Sequence, residues 1–182
     1  MIDARPPDPA IPRWLRPLAG ALALANRAMV GVGMLALVAA ACILTSSVVS
    51  RYFLKASTDW QDEAAQFCLV GATFLCGAFV QSLRGHVGIE ALAAVLPPAA
   101  NRVRLAVVDV MCLAFCAFFA WKSCTLLHEA WTEGQTTSSS WAPPLWIPYL
   151  LMSLGMILLS VQLALQCVVS VNRLRPSARE GA

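Results

Sequence analysis

Four long stretches of this chain carry almost no charge, and the segments between them gather charge, proline and aromatic residues. From Ala28 to Ser50 there is no charged residue, from Ala64 to Leu83 none, from Leu105 to Trp121 only Asp109, and from Gly134 to Asn172 none. A helix rises about 1.5 Å per residue and the hydrocarbon core of a bilayer is about 30 Å thick, so roughly 20 apolar residues cross it. Helices also satisfy their backbone polar groups internally, as a bilayer requires. The pattern predicts an all-α integral membrane protein with four transmembrane helices, at about residues 24–49, 62–83, 103–127 and 145–171 of a membrane domain covering 18–172.

The segments around these runs have their own signatures. Residues 1–17 hold five prolines and read as a Pro/Arg-rich arm, with Trp14 as an interfacial anchor between Arg13 and Arg16. The apolar run of the first span is longer than the roughly 7 to 15 residues of a signal peptide, which predicts a retained helix. The connection Arg51 to Glu63 mixes Tyr52, Phe53, Leu54 and Trp60 with charges, a composition suited to the membrane surface. Ile89, Leu92, Ala93 and Leu96 fall at helical spacing before Pro97-Pro98, which predicts a short amphipathic helix lying in the interface. The third connection ends in Trp141-Ala142-Pro143-Pro144-Leu145-Trp146-Ile147-Pro148-Tyr149, where proline starts a helix and the aromatics form a belt. Gly31, Gly33, Gly71 and Gly77 predict close helix contacts, and Asp62 and Glu63 are placed in the first turn of the second span, favourable for the helix dipole.

Composition and charge sharpen this picture. Apolar residues make up 59% of the chain and charged ones 13%, too oily for an ordinary soluble fold. Lysine and arginine are distributed one-sidedly: ten lie in the N-terminal segment up to Arg27, the second connection and the C-terminal tail 173–182, against three in the first and third connections. Positive residues are retained on the cytoplasmic side, so both termini of this multi-pass protein are predicted to be cytoplasmic. The net charge of +3 then reports topology and proximity to lipid headgroups rather than nucleic-acid binding. The seven cysteines all lie in or at the edge of apolar runs without a C-x-x-C pair, and read as small packing residues.

Little catalytic chemistry is on offer. His86 and His128 fall on opposite sides of the membrane by this topology and cannot ligate one ion. No phosphate loop, nucleophile elbow or metal-binding helix pattern occurs. The expectation is a protein with no cofactor, no metal site and no enzymatic activity. Asp109 is the acidic residue well inside an apolar run. Such a group often marks an ion path, but its nearness to Arg104 favours an ion pair or a role at the helix start. Lys122 snorkels to the headgroups. A stand-alone carrier should hold a strongly polar coupling group near mid-membrane. Here the central turns are apolar, with Gln162 and Gln166 as the chief polar exceptions of the fourth span.

Particular residues resemble a family. Val49-x-Arg51-Tyr52-Phe53, then Trp60-Gln61-Asp62-Glu63, Gly77-Ala78, Arg84-x-His86-Val87-x-Ile89-Glu90, and Pro144-x-Trp146-Ile147-Pro148-Tyr149 followed by Gly155 and Gln162 resemble the small membrane subunit, DctQ type, of tripartite ATP-independent periplasmic (TRAP) transporters. The likeness spans roughly residues 20–172, with Glu90 where aspartate is common in the family. It implies a sodium-driven permease of the bacterial inner membrane, built with a large multi-span subunit and a periplasmic solute-binding protein, taking up an organic acid. In that arrangement the large subunit carries the substrate and sodium sites, and the small one braces it. Arg51, Tyr52, Trp60, Glu63, Arg84, His86, Trp146 and Tyr149 are then the candidate interface residues. Each also has a plainer use: Arg51 and Tyr52 as boundary residues, Trp60 and Glu63 as belt and cap, Arg84 and His86 as cations at a helix C-terminus. Two other classes stay open, an assembly or scaffold subunit of a different membrane complex and a small stand-alone carrier.

Overall fold

The computed structural model describes residues 15–55, 58–83 and 97–174. The arm up to Trp14, the amphipathic stretch of Gly88 to Leu96, Arg84, His86 and the tail from Arg175 lie outside the described residues. The described residues form four α-helices: α1 (Arg16–Val49), α2 (Asp59–Ser82), α3 (Pro98–Thr132) and α4 (Trp146–Leu174). Among the described residues these four are long and apolar enough to cross a membrane. The protein is therefore an all-helical, multi-pass membrane protein.

The helices reach beyond the uncharged runs at several ends. Pro17 stands in the first turn of α1 and Pro98 in that of α3, each where the missing N–H breaks no helical bond. α3 thus starts on the proline pair itself, and Asn101 N–H closes its first turn onto the Pro97 carbonyl at 3.0 Å. α2 begins at Asp59, earlier than its charge pattern suggests, because the Thr58 carbonyl accepts from Gln61 N–H at 3.0 Å and Asp62 N–H at 3.3 Å. Asp59 consequently takes the first-turn position expected of Asp62.

Between α1 and α2 the amphipathic segment is not a separate helix. Ser50–Leu54 continue α1 as a single π-helical turn, and Lys55, at φ 51°, reverses the chain. The wider turn places Arg51 through Lys55 all on the exterior. α3 ends differently. Gly134 adopts the left-handed conformation at φ 62°, and Gln135 N–H reaches back to the Ala130 carbonyl at 3.1 Å, the bond of a Schellman cap. The chain then forms a small strap, with Leu145 N–H on the Gln135 carbonyl at 2.9 Å and Thr137 N–H on the Pro143 carbonyl at 3.1 Å.

The helices pack in the order α1, α2, α4, α3. α1 lies on α2, α2 on α4 and α4 on α3, while α1 touches α4 only slightly. Burial follows this order: over the most apolar stretch 17% of α1 and of α3 is buried, against 28% of α2 and 39% of α4. Glycine sets the closest approaches. A Cβ on Gly155 of α4 would collide with the Phe74 carbonyl of α2, and one on Gly33 of α1 would lie 2.6 Å from Cys76 Sγ. A Cβ on Gly71 of α2 would lie 3.0 Å from Leu151 Cδ1 of α4, whereas Gly31 and Gly77 face open space.

Candidate functional site

Two polar groupings stand out among the described residues, one within the helices and one at the end where α1 turns into α2. The first runs along α4. Gln162, Gln166 and Ser170 recur every four residues, so about 40° separates each from the next around the axis and they line one flank of the helix. Each bonds a different neighbour. Asn26 Nδ2 of α1 donates to Gln162 Oε1 at 3.2 Å. Gln81 Nε2 of α2 donates to Gln166 Oε1 at 2.8 Å, and Gln166 Nε2 returns a bond to the Gln81 carbonyl at 2.9 Å. Ser170 Oγ donates to Asp109 Oδ2 of α3. All six side chains are buried. A buried polar group without a partner is costly, and more so with lipid around the bundle. The ladder therefore favours one helix order and one register over the alternatives. Asn26 Oδ1 is buried with no hydrogen-bond partner among the described residues.

Asp109 accordingly serves as a rung of this ladder. It lies about three turns into α3, so it is not at the helix start as its distance from Arg104 suggested. Arg104 directs Nε and Nη2 to Asn101 Oδ1, at 3.1 and 2.8 Å.

The second grouping ties the start of α2 to the end of α1. Arg51 Nη2 lies 3.0 Å from Asp62 Oδ2 and 2.8 Å from Thr58 Oγ1, and Nε adds a bond to the same hydroxyl at 3.3 Å. Ser47 Oγ, one turn before Arg51, donates to Asp62 Oδ1 at 3.4 Å. Around these polar contacts stand aromatic pairs. Trp60 of α2 meets Trp141 of the strap edge-on at 6.3 Å, and Trp131 of α3 meets Trp146 of α4 at 5.1 Å. Tyr52 and Phe53, both strongly exposed, stack edge-on at 5.3 Å.

The structure thus brings Arg51, Tyr52, Trp60, Glu63, Trp146 and Tyr149 to one end of the molecule, in three distinct settings. Arg51 joins α1 to α2, Trp60 and Trp146 pair the helices with the strap and with α3, and Tyr52 points outward on the π turn. Glu63 is half-buried, and its Oε2 is buried with no partner among the described residues. Tyr149 is half-buried, and its backbone carbonyl accepts from Ser153 Oγ at 2.7 Å. The described cysteines are all free thiols, and no group of metal-ligating side chains gathers among the described residues.

Sequence reasoning singled out Gln162 and Gln166 but missed their partners Asn26 and Gln81, and it missed Ser47, Thr58 and Ser170. The four-residue recurrence of Gln162, Gln166 and Ser170 was a usable signal. Nothing in the spacing along α1 or α2 tells that Asn26 or Gln81 would face it.

Compared with known proteins, one family matches the chain, that of the tripartite ATP-independent periplasmic transporters, DctQ component, over residues 40–173. No curated protein and no solved structure matches.

Proposed function

We propose, on the premise that the chain belongs to the DctQ component family of TRAP transporters, that it braces a large multi-span transport subunit in the inner membrane. The system it serves is read as sodium-coupled uptake of an organic acid delivered by a periplasmic solute-binding protein. As a transporter component the chain is not an enzyme. The observation that carries the bracing role is the ladder on α4. The buried polar side chains of the ladder bond one another across helix boundaries, which is what a frame needs to keep its shape beside a moving partner.

The orientation proposed has both termini in the cytoplasm, on the distribution of lysine and arginine. It puts the Arg51–Asp62 pair and the tryptophan pairs on the periplasmic side, where the binding protein arrives.

Deleting this chain from a cell that retains the other two components should abolish organic-acid uptake, and an affinity tag on it should bring down a large multi-span membrane protein. Uptake by the purified chain alone in liposomes would sink the bracing role. For orientation, reporters at Gly134 and after Arg179 should fall on opposite sides of the membrane, and agreement between them would overturn the arrangement.

A further inference from the structure

A groove opens on the surface where α1 meets the start of α2, lined by Leu44, Ser47, Val48, Arg51, Tyr52 and Asp62. Its two ends differ in chemistry. Leu44 and Val48 form an apolar wall within the uncharged run of α1, and Val48 is 68% exposed. One to two turns further along α1, at the boundary of that run, stands Arg51, with Asp62 of α2 beside it.

The charged end carries both signs within reach of one small headgroup. Arg51 uses Nε and Nη2 on Thr58 and Asp62, so Nη1 makes no bond among the described residues, and the side chain is 62% exposed. A guanidinium with a remaining N–H edge is a good receptor for a phosphate oxygen. The Asp62 carboxylate beside it, 52% exposed, disfavours a bare anion and favours a ligand that presents a cation next to its phosphate. Tyr52 flanks the site with an amphipathic ring of the kind that settles at headgroup depth.

We infer that this groove is a binding site for a phospholipid with an ammonium headgroup, phosphatidylethanolamine in chemical type. Its phosphate is held by Arg51, its ammonium lies against Asp62, and an acyl chain runs along Leu44 and Val48. The bound lipid covers the exposed seam between α1 and α2 and extends the Arg51–Asp62 contact outward. The inference needs only that α1 and α2 span a membrane, and is independent of which large subunit this chain accompanies.

The test is native mass spectrometry of the full-length chain in mild detergent, titrated separately with phosphatidylethanolamine, phosphatidylglycerol and diacylglycerol. Phosphatidylethanolamine should be retained in preference to phosphatidylglycerol, which lacks the ammonium, and to diacylglycerol, which lacks the phosphate. Arg51→Gln should lower its retention by about tenfold, the scale of a charge-assisted hydrogen bond. Because that change also loosens the contact with α2, Val48→Trp provides a second variant, which fills the groove from its exposed side and alters no polar group. It should lower retention comparably while helicity and the lipid-free melting temperature stay at wild-type values. Unchanged retention in either variant, or phosphatidylethanolamine held no better than the other two lipids, overturns the assignment. Displacement by millimolar inorganic phosphate would also overturn it, by showing a site for a free anion.

Discussion

Glycine illustrates how much a single position depends on what lies opposite it. At Gly155 an added Cβ meets the Phe74 carbonyl, which is backbone and cannot rotate aside. Gly155→Ala should therefore push α4 from α2 and destabilise the fold by about 1–3 kcal/mol, as overpacking does. Gly77 lies on an open flank. Gly77→Ala should be neutral or stabilising by up to about 1 kcal/mol, from helix propensity alone. Reversible unfolding in mixed micelles measures both, and equal effects would contradict the packing described. Lys55 provides a third case. It holds the left-handed conformation at the end of the π turn, which a side chain bearing Cβ adopts at a cost of roughly 1–2 kcal/mol. Lys55→Gly should raise the midpoint of the same transition. From sequence these positions look alike, since a glycine in an apolar run shows no sign of its neighbour. The likeness between Gly31, which is open, and Gly33, which is closed by Cys76 and Ala72, makes the point.

At the scale of the element, α4 organises the others. Its flank of Gln162, Gln166 and Ser170 meets α1, α2 and α3 in turn, and the middle rung is the strongest because Gln166 and Gln81 exchange two bonds. A double-mutant cycle with Gln81→Leu and Gln166→Leu should show a coupling of about 0.6 kcal/mol, up to about 1.7, the range found for interhelical hydrogen bonds in membranes. The Asn26–Gln162 rung, a single bond at 3.2 Å, should couple less. A coupling near zero at both rungs would mean that packing alone sets the helix order. The Asp109 carboxylate belongs to the same design. Its position deep in an apolar run invited an ion pair or an ion path, and a bond from Ser170 joins it to α4.

The whole molecule is a chain of neighbours, with α1 and α3 at its two edges and α2 and α4 between them. With the native cysteines replaced, cysteines at Gly71 and Leu151 should cross-link readily, since these residues touch across α2 and α4. Pairs placed at equal depth on α1 and α3 should not, and efficient cross-linking there would indicate a closed four-helix bundle. Such an open arrangement leaves broad apolar surface on both edge helices, as exposed Leu35 and Val38 of α1 and Phe115 and Phe118 of α3 show. That surface suits lipid and a large partner equally. The presence of four helices long and apolar enough to cross a membrane and the membership of the family were legible in the sequence. They follow from one-dimensional quantities: the length of an uncharged run against the thickness of a bilayer, and the order of short motifs. The order of the helices, the glycines that matter, the partners of Gln162 and Gln166 and the bond between Asp109 and α4 were decided only in three dimensions. A helix that is apolar all round carries no stripe to say which face turns inward, so the choice falls to close approach at Gly33 and Gly155 and to the need of each buried polar group for a partner on another helix.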